Sequence, residues 1–432
     1  MKRFFLIFTV LVLPVFLFAS GGGQQSAGNQ GGYLRFAWWG NVTRDERTLK
    51  VNQLFMDKNP GVTIEAEPTE WGSYWTKLNT QAASGSLPDI MQQSVAYIEQ
   101  YNDRNLLVDL NIPAQKGLID FSQWTESSLG AGKLNGKLIA LILGINAQGM
   151  GVDPAVLQQA GVTIDDTSWT WKDYENAAIT IYQKTGIQTN PTTAVYQCIE
   201  NISRQYGAPL YSLDKKSIGF TNNAAVLAQV KELFDMNLRL KAAGALYDPE
   251  TAFLPGLSME ELGISKGKTW NEFYWSNQHV GVENASHRTL GYYMLPSVKG
   301  DKAAPFGTYL QPSCLLSMLT ASKNQDLAAK FIDFFVNDIG ANRILLAERG
   351  IPAPFNVRND LAALVDPGTK YVFDYITKVT PLTTTIDPPY PASSGETFDL
   401  MSSLLLQCLT GRISSDAAVA QLVQGSNAIL SR

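Results

Sequence analysis

The chain has 432 residues, a formal net charge of −5 and 45% hydrophobic residues, and its length suits two or three domains. Lysine and arginine form no cluster, which argues against a nucleic-acid-binding protein. The two histidines and three cysteines match no metal-binding motif, so neither catalytic zinc nor any cofactor is expected.

The first twenty residues, MKRFFLIFTVLVLPVFLFAS, have the layout of an export signal. A basic start precedes an apolar run that contains Pro14 and falls short of the roughly 18 residues a membrane span needs. We predict a signal peptide (1–21), with a membrane anchor as the alternative, and then a flexible tether (22–32) rich in Gly, Gln and Ser. Ser20 stands where a lipoprotein would have its lipidated cysteine, so an exported protein without a lipid anchor is expected.

Strand and helix signals alternate at the start of the remaining chain. We predict a strand (33–39), a helix after a Thr43–Glu46 capping box, a strand (62–67), a helix from Trp71 that Gly85 ends, and a short strand (87–93). This alternation predicts a parallel, doubly wound sheet.

Similar signals recur later in the chain. They predict a buried strand (137–144), a helix after a second capping box at Thr170–Asp173, a long helix (224–244), a strand (312–319), and a helix with Ser322 as its N-cap. Two α/β stretches with helical material between and after them indicate two lobes built from interleaved segments.

Seven stretches, in order along the chain, resemble one protein family. They are FAWWGNVTRDERTLKVNQLFMDKNPGVTIEAE, LNTQAASGSLPDIMQQSVAYIEQYNDRNLLVDL, NGKLIALILGINAQGMGVDPAVLQQAGV, WTWKDYENAA, KGKTWNEFYWSNQHVG, TASKNQDLAAKFIDFFVND and ERGIPAPFNVR. The order resembles the extracellular solute-binding proteins of bacterial carbohydrate ABC importers, which include maltose- and multiple-sugar-binding proteins. The WWG start is most similar to branches that bind oligosaccharides.

The resemblance implies an α/β fold with two lobes, crossing strands between them, and a cleft that closes over a sugar. It also implies an ABC-type membrane permease as partner and, for this chain, a monomer. We expect lobe 1 to comprise 33–145 and a return segment (304–345), and lobe 2 to comprise 146–303 and 346–432. Two departures are Ser20 and the stretch ALILG, where many relatives have Tyr or Gly followed by proline.

Trp38 and Trp39 are adjacent at the end of the first predicted strand, so they point to opposite faces. We predict that one packs inside its lobe and that the other lines the cleft, because strand carboxyl ends face the ligand crevice in doubly wound sheets. Arg44 at the following helix start is either a ligand clamp or a surface arginine.

A sugar presents an apolar ring face and a rim of hydroxyls, so aromatic, amide and charged side chains are the other candidates. Each has a structural alternative: core packing for aromatic residues, turn formation for Asp89, and hinge hydrogen bonding for the amides. The candidates are Trp71, Trp75, Asp89, Asn146, Gln148, Trp275, Ser276, Asn277, Gln278, Tyr309 and Arg349.

The alternative function is a secreted carbohydrate-active enzyme, either a glycoside hydrolase or a lyase. A glycosidase needs two suitably spaced carboxylates, and sequence does not exclude that. GISKG (263–267) matches a nucleophile-elbow pattern, but a helical-looking stretch precedes it instead of a strand. We therefore predict a binding protein and assign no catalytic residue.

Overall fold

The structure is a computed structural model that describes residues 32–40, 42–300, 307–391 and 393–432. The predicted signal peptide, and the predicted tether apart from Gly32, lie outside the described residues. Among the helices of the described ranges, none is long and apolar enough to cross a membrane.

The described residues form three sheets. Their strands, in chain order, are β1 (Tyr33–Trp39), β2 (Thr63–Thr69), β3 (Ile90–Gln93), β4 (Lys133–Leu134), β5 (Lys137–Leu138), β6 (Leu141–Asn146), β7 (Gln148–Val152), β8 (Asn271–Trp275), β9 (Gly291–Tyr293) and β10 (Gln311–Met318). The order in the five-stranded sheet is β2-β1-β3-β10-β6, in the three-stranded sheet β8-β7-β9, and β4 pairs with β5. The first of these sheets defines lobe 1 and the second defines lobe 2.

Helices cover both larger sheets. They are α1 (Val42–Lys58), α2 (Trp71–Ser84), α3 (Ile98–Asp103), α4 (Asn111–Gln115), α5 (Glu126–Gly130), α6 (Pro154–Ala160), α7 (Trp171–Thr185), α8 (Val195–Gln205), α9 (Ala224–Ala242), α10 (Pro249–Ala252), α11 (His279–Ser286), α12 (Gln325–Asn337), α13 (Ile339–Leu345), α14 (Phe355–Leu361), α15 (Pro367–Val379), α16 (Ser394–Leu409) and α17 (Ser415–Leu430). Short 3₁₀ turns occupy 259–261, 276–278 and 380–382.

The sheet of lobe 1 is mixed, whereas the sequence predicted a parallel sheet. β1 runs parallel to β2 and β3, but β10 runs antiparallel to β3 and β6. The reason is chain direction: β6 leaves the sheet at Asn146 toward lobe 2, and β10 returns beside it at Gln311, opposite Asn146. Strand pairing across this return was not visible in the local sequence pattern.

Two of the four local signals at helix ends were predicted correctly, whereas Thr43 was wrong as an N-cap because it lies inside α1, which begins at Val42. The capping box at Thr170–Asp173 is present, and Gly85 ends α2 in the left-handed conformation. Ser322 was wrong as an N-cap, because Asn324 is the N-cap of α12. The Ser322 hydroxyl instead donates a hydrogen bond to Asp89, 2.5 Å away.

The two neighbouring tryptophans lie on opposite faces of the lobe 1 sheet. Trp38 is fully buried on the face that packs on α1 and α12, and its indole N–H donates to Asp45 at 2.7 Å. Trp39 is half-buried on the other face, where its ring contacts Tyr74 and Trp75 of α2. Because helices cover both faces, each tryptophan packs against a helix.

Three chain crossings join the lobes. Ala147 links β6 directly to β7, and the chain returns to lobe 1 at the start of β10. The third crossing runs through Ile351, whose carbonyl accepts a hydrogen bond from the N–H of Ile145 at 2.8 Å. This hydrogen bond ties the first and third crossings together.

The helices of the C-terminal segment pack in two places, and the assignment of 346–432 to lobe 2 stays a prediction. α14 packs on α13, and its Val357 and Leu361 are buried in a core that contains both Phe36 of lobe 1 and Tyr292 of lobe 2. α16 and α17 pack on α8 and α9 of lobe 2.

Candidate functional site

A cavity of about 450 Å³ lies between the two lobes. This volume falls within the range of roughly 300 to 1,000 Å³ that small-molecule sites occupy. Lobe 1 contributes α3 and residues 130–135 to its wall, and lobe 2 contributes α8 and the loop around Lys215. Tyr309 and Gln311, where β10 begins, and the segment 385–390 complete the lining.

Glu200 of α8 is a buried carboxyl group in this wall, with 1% of its surface exposed. One carboxyl oxygen, Oε2, accepts hydrogen bonds from Gln148 Nε2 at 2.8 Å and from the Tyr309 hydroxyl at 3.2 Å. The other, Oε1, accepts from the Tyr390 hydroxyl at 2.7 Å. All three donors are uncharged side chains.

The two phenols also contact each other, since the hydroxyls of Tyr309 and Tyr390 are 2.9 Å apart. Glu200, Tyr309 and Tyr390 therefore form a ring of three oxygen–oxygen contacts. Each phenol has one proton to donate, so the third hydrogen bond of the ring forms when the carboxyl group is protonated. Burial raises the pKa of Glu200 to about 7, while hydrogen bonds and the charge of Arg204 act in the opposite direction.

Arg204 lies one turn after Glu200 on α8 and fixes the segment that carries Tyr390. Its Nη1 is 2.5 Å from Asp387 Oδ2, and its Nη2 donates to the carbonyl of Thr385 at 2.7 Å. Its guanidinium carbon also lies 4.8 Å from the centre of the Tyr309 ring. Pro388 and Pro389, with φ restricted by their rings, then lead to Tyr390.

An ion pair joins the two lobes at the cavity. Lys215 Nζ of lobe 2 is 2.7 Å from Glu99 Oε2 of α3 in lobe 1, and both residues line the cavity. Leu213, two residues earlier, also lines it and is 81% exposed. This loop of lobe 2 therefore contacts lobe 1 across the cavity.

Gly130 brings the wall segments of the cavity close together. A Cβ at this position would lie 2.8 Å from Cγ2 of Thr385, too close without a shift of one segment. Nearby, the Ser127 hydroxyl is 2.9 Å from the hydroxyl of Thr383. Gly130 is thus required for close packing of α5 against the segment before Tyr390.

Among the predicted site residues, Tyr309 lines the cavity and two others lie next to it. The half-buried ring of Trp275 is 5.9 Å from the Tyr309 ring, in an edge-to-face arrangement. Asn146 is half-buried at the end of β6, opposite Gln311. A ligand role for Trp275 and Asn146 stays a prediction.

The WSNQ stretch mainly builds a turn. Ser276 is buried, and its hydroxyl oxygen accepts a hydrogen bond from the N–H of Ala147 at 3.1 Å. The Gln278 side chain accepts from the N–H of Trp275 at 3.1 Å. Asn277 is exposed but does not line the cavity. Ser276 and Gln278 therefore build the turn, and a ligand role for Asn277 and Gln278 stays a prediction.

Gln148 and Arg349 are buried, and both donate hydrogen bonds to other side chains of the protein. Gln148 is fully buried and donates to Glu200, so it positions that carboxyl group. Arg349 donates to Gln92 and to Thr48, each at 2.8 Å, and burial lowers its pKa to about 10. Arg349 thus ties the third crossing to lobe 1 and is not available to a ligand.

Arg44 and Asp89 also have structural partners. Arg44 Nε is 2.7 Å from Glu348 Oε2. Asp89 precedes β3, at the end of the strand farther from the crossings, and its carboxylate accepts from the backbone N–H of Arg35 at 2.8 Å and from Ser322. Asp89 was wrong as a cleft residue because it fixes the far edge of the sheet.

Among the tryptophans predicted in lobe 1, Trp75 lies behind the cavity wall. Trp75 is buried and stacks on Tyr97 at 3.9 Å, between the lining residues Val95 and Ile98. Trp38 is a core residue, and Trp39 does not line the cavity. Trp71 begins α2, and its side chain falls outside the described part of the structure.

The sequence interpretation missed most of the wall: Glu99, Glu200, Lys215, Asp387 and Tyr390. One signal was present, since the glutamate and arginine of IENISRQ are four residues apart and therefore lie on one face of the helix. The DPPY stretch, a rigid turn that ends in an aromatic residue, was a second signal.

Nothing in the described residues supports the enzyme motif. GISKG follows a 3₁₀ turn at 259–261, where a nucleophile elbow needs a strand. The three cysteines are buried and free. In the described ranges, no three His, Cys, Asp or Glu side chains are grouped as metal ligands.

Two lobes, three crossings and an enclosed polar–aromatic cleft define the class of two-lobed ligand-binding proteins. The sequence model of the family described as bacterial extracellular solute-binding protein matches residues 51–365. The chain belongs to this family.

Solved structures share the fold. An extracellular solute-binding protein family 1 member from Alicyclobacillus acidocaldarius is 24% identical, with a TM-score of 0.84 over 93% of this chain and 98% of that one. A periplasmic oligogalacturonide-binding protein from Yersinia enterocolitica is 20% identical, with a TM-score of 0.75 over 93% and 99%. An ABC substrate-binding protein from Listeria monocytogenes, in complex with cycloalternan, is 17% identical, with a TM-score of 0.62 over 92% and 98%.

Proposed function

We propose that this protein captures a sugar, most simply an oligosaccharide, in the cavity between its lobes and delivers it to an ABC-type permease. The observation that carries the proposal is the cavity wall itself. It combines the phenols Tyr309 and Tyr390 with the amide of Gln311 and the carboxyl group of Glu200. Aromatic faces suit the C–H face of a sugar ring, and planar polar groups suit its hydroxyls.

Hinge closure is the proposed mechanism. A ligand that contacts both lobes favours the closed arrangement, because that arrangement alone offers all its contacts. Glu99 and Lys215 already meet across the cavity at 2.7 Å, so the lobes can approach closely enough to enclose a ligand. The permease would then bind the closed form.

The family supports an extracellular protein. The export signal, the absence of a lipid anchor and the monomeric state are further parts of the proposal. The basic and apolar start of the chain would act as a cleaved export signal, and Ser20 leaves no cysteine for a lipid anchor there. The protein would act as a monomer without a cofactor. Oligogalacturonide and cycloalternan binding by two relatives of the same fold supports a carbohydrate ligand.

The test is a titration of the protein, beginning at Tyr33, with a panel of oligosaccharides. Tryptophan fluorescence and calorimetry would detect binding, and chromatography of the recovered sugar would detect cleavage. Saturable binding of a sugar recovered intact supports the proposal. If the sugar is cleaved at a rate proportional to the concentration of the protein, the binding proposal is replaced by the hydrolase or lyase alternative.

A pair of glutamine variants locates the binding site. Gln311→Ala removes an amide from the cavity and should weaken sugar binding about two- to tenfold, the value of one hydrogen bond of about 0.5–1.5 kcal/mol. Gln158→Ala, on the exposed side of α6, is the matched control and should leave the affinity unchanged. Equal affinities in both variants would place the ligand elsewhere.

A further inference from the structure

The basic side chains that line the cavity already have acidic partners. Lys215 is 2.7 Å from Glu99. The ammonium group of Lys133 contacts the carboxylate of Glu126. Within the described lining, a ligand carboxylate could bind one of these lysines only by breaking its ion pair, which would leave the glutamate without a cationic partner.

Arg204, behind the cavity wall, is committed in the same way. Its guanidinium group contacts Asp387 and also donates to the carbonyl groups of Gly307 and Thr385. With 8% of its surface exposed, it is not accessible to a ligand without loss of these bonds. The guanidinium thus anchors the segment before Tyr390.

Glu200 differs from the other acidic residues of the lining, because none of its hydrogen-bond donors is charged. A carboxylate offers about four acceptor positions, and Gln148, Tyr309 and Tyr390 use three of them. With only 1% of its surface exposed, this carboxyl group acts on a ligand through its negative charge and not through a new hydrogen bond. A ligand carboxylate has no proton to donate and would bring a second negative charge to the same wall.

We propose that the cavity selects neutral oligosaccharides over uronic acid oligosaccharides, and that Glu200 is the residue that sets this preference. The proposal rests on the proposed function, since it names the ligand class of the same cavity. The three acidic and two basic side chains of the lining also leave its net charge negative. Discrimination by a like charge in the site is a general way to exclude a ligand.

The experiment compares matched disaccharides that differ in one group. Each pair has the same linkage and ring stereochemistry, with a CH₂OH group in the neutral member and a carboxylate in the uronic member. One example is α-1,4-galactobiose against α-1,4-digalacturonate, and the panel adds gluco- and manno-configured pairs. Calorimetry at pH 8 should give tighter binding for the neutral member by about tenfold or more, given the repulsion expected at partly buried sites.

The variant Glu200→Gln assigns the preference to this residue. It should raise the affinity for the uronic member about tenfold or more by removing the like charge, and it should change neutral binding less. Glu272→Gln is the matched control, because Glu272 is also buried in lobe 2 with uncharged partners but does not line the cavity. The thermal transition of each variant checks that it is folded.

The outcomes separate this inference from the proposed function. The inference is supported if the protein prefers the neutral sugars and if Glu200→Gln, but not Glu272→Gln, reduces this preference. Tighter binding of uronic members, or a preference that Glu200→Gln leaves unchanged, overturns it while the sugar-binding function stands. Silence with every sugar of the panel overturns the function and the inference together.

Discussion

Replacing Glu200 with glutamine should change how the stability of the protein depends on pH. In the unfolded chain this carboxyl group has a pKa near 4.5, and burial raises it to about 7 in the folded protein. The folded state therefore holds the proton more tightly. The free energy of unfolding of the wild type, relative to that of Glu200→Gln, is highest at low pH. It falls as the pH rises from about 4.5 to 7.

The magnitude follows from the two pKa values. Each pKa unit corresponds to about 1.4 kcal/mol, so ionising Glu200 in the folded protein costs about 3 kcal/mol in full. Between pH 5 and pH 8, the free energy of unfolding of the wild type should fall by about 2–3 kcal/mol relative to Glu200→Gln. Above pH 7 the difference should approach a constant value.

Urea unfolding at pH 5, 6, 7 and 8, followed by tryptophan fluorescence, measures this difference. Glu272→Gln serves as a comparison, because burial raises the pKa of Glu272 to about 8. The difference in free energy of unfolding between the wild type and Glu272→Gln should therefore still be changing at pH 8. A wild-type minus Glu200→Gln difference that stays constant from pH 5 to pH 8 would refute the argument. It would mean that the carboxyl group ionises in the folded protein as easily as in water.

Three further variants test other parts of the structure. Lys215→Ala removes the ion pair with Glu99. Because such exposed pairs contribute about 0.2–1 kcal/mol, sugar affinity should fall less than about fivefold. The affinity should also depend less on salt concentration. Lys216→Ala is the control, and identical behaviour of the two would contradict a role for the pair. Arg349→Leu should lower the free energy of unfolding by about 3–5 kcal/mol in urea titrations, because it removes two buried hydrogen bonds from a charged donor, each of about 1.5–3 kcal/mol. A loss below about 1 kcal/mol would contradict this. Trp38→Phe should cost about 1–3 kcal/mol of stability without changing sugar affinity by calorimetry, since the ring is buried away from the cavity; weakened binding would place it in the site.

The sequence determined the local elements and their order. The Thr170–Asp173 capping box and the end of α2 at Gly85 depend on contacts within a few residues, so their residue types suffice to predict them. Alternation along β1 likewise predicts that Trp38 and Trp39 face opposite sides. The motif order also led to the family that the chain belongs to.

Tertiary structure decided which residues share the cavity. Glu200 contacts Tyr390, 190 residues later, and Lys215 contacts Glu99, 116 residues earlier. No periodicity in the chain encodes such a distance, and Ser322 shows that a distant partner can override a local capping signal. Trp38 and Trp75, chosen by residue type, lie in the core because helices cover both faces of the lobe 1 sheet, whereas Tyr309 lines the cavity. The sequence therefore specified the elements, and the packing of the lobes through three chain crossings specified the site.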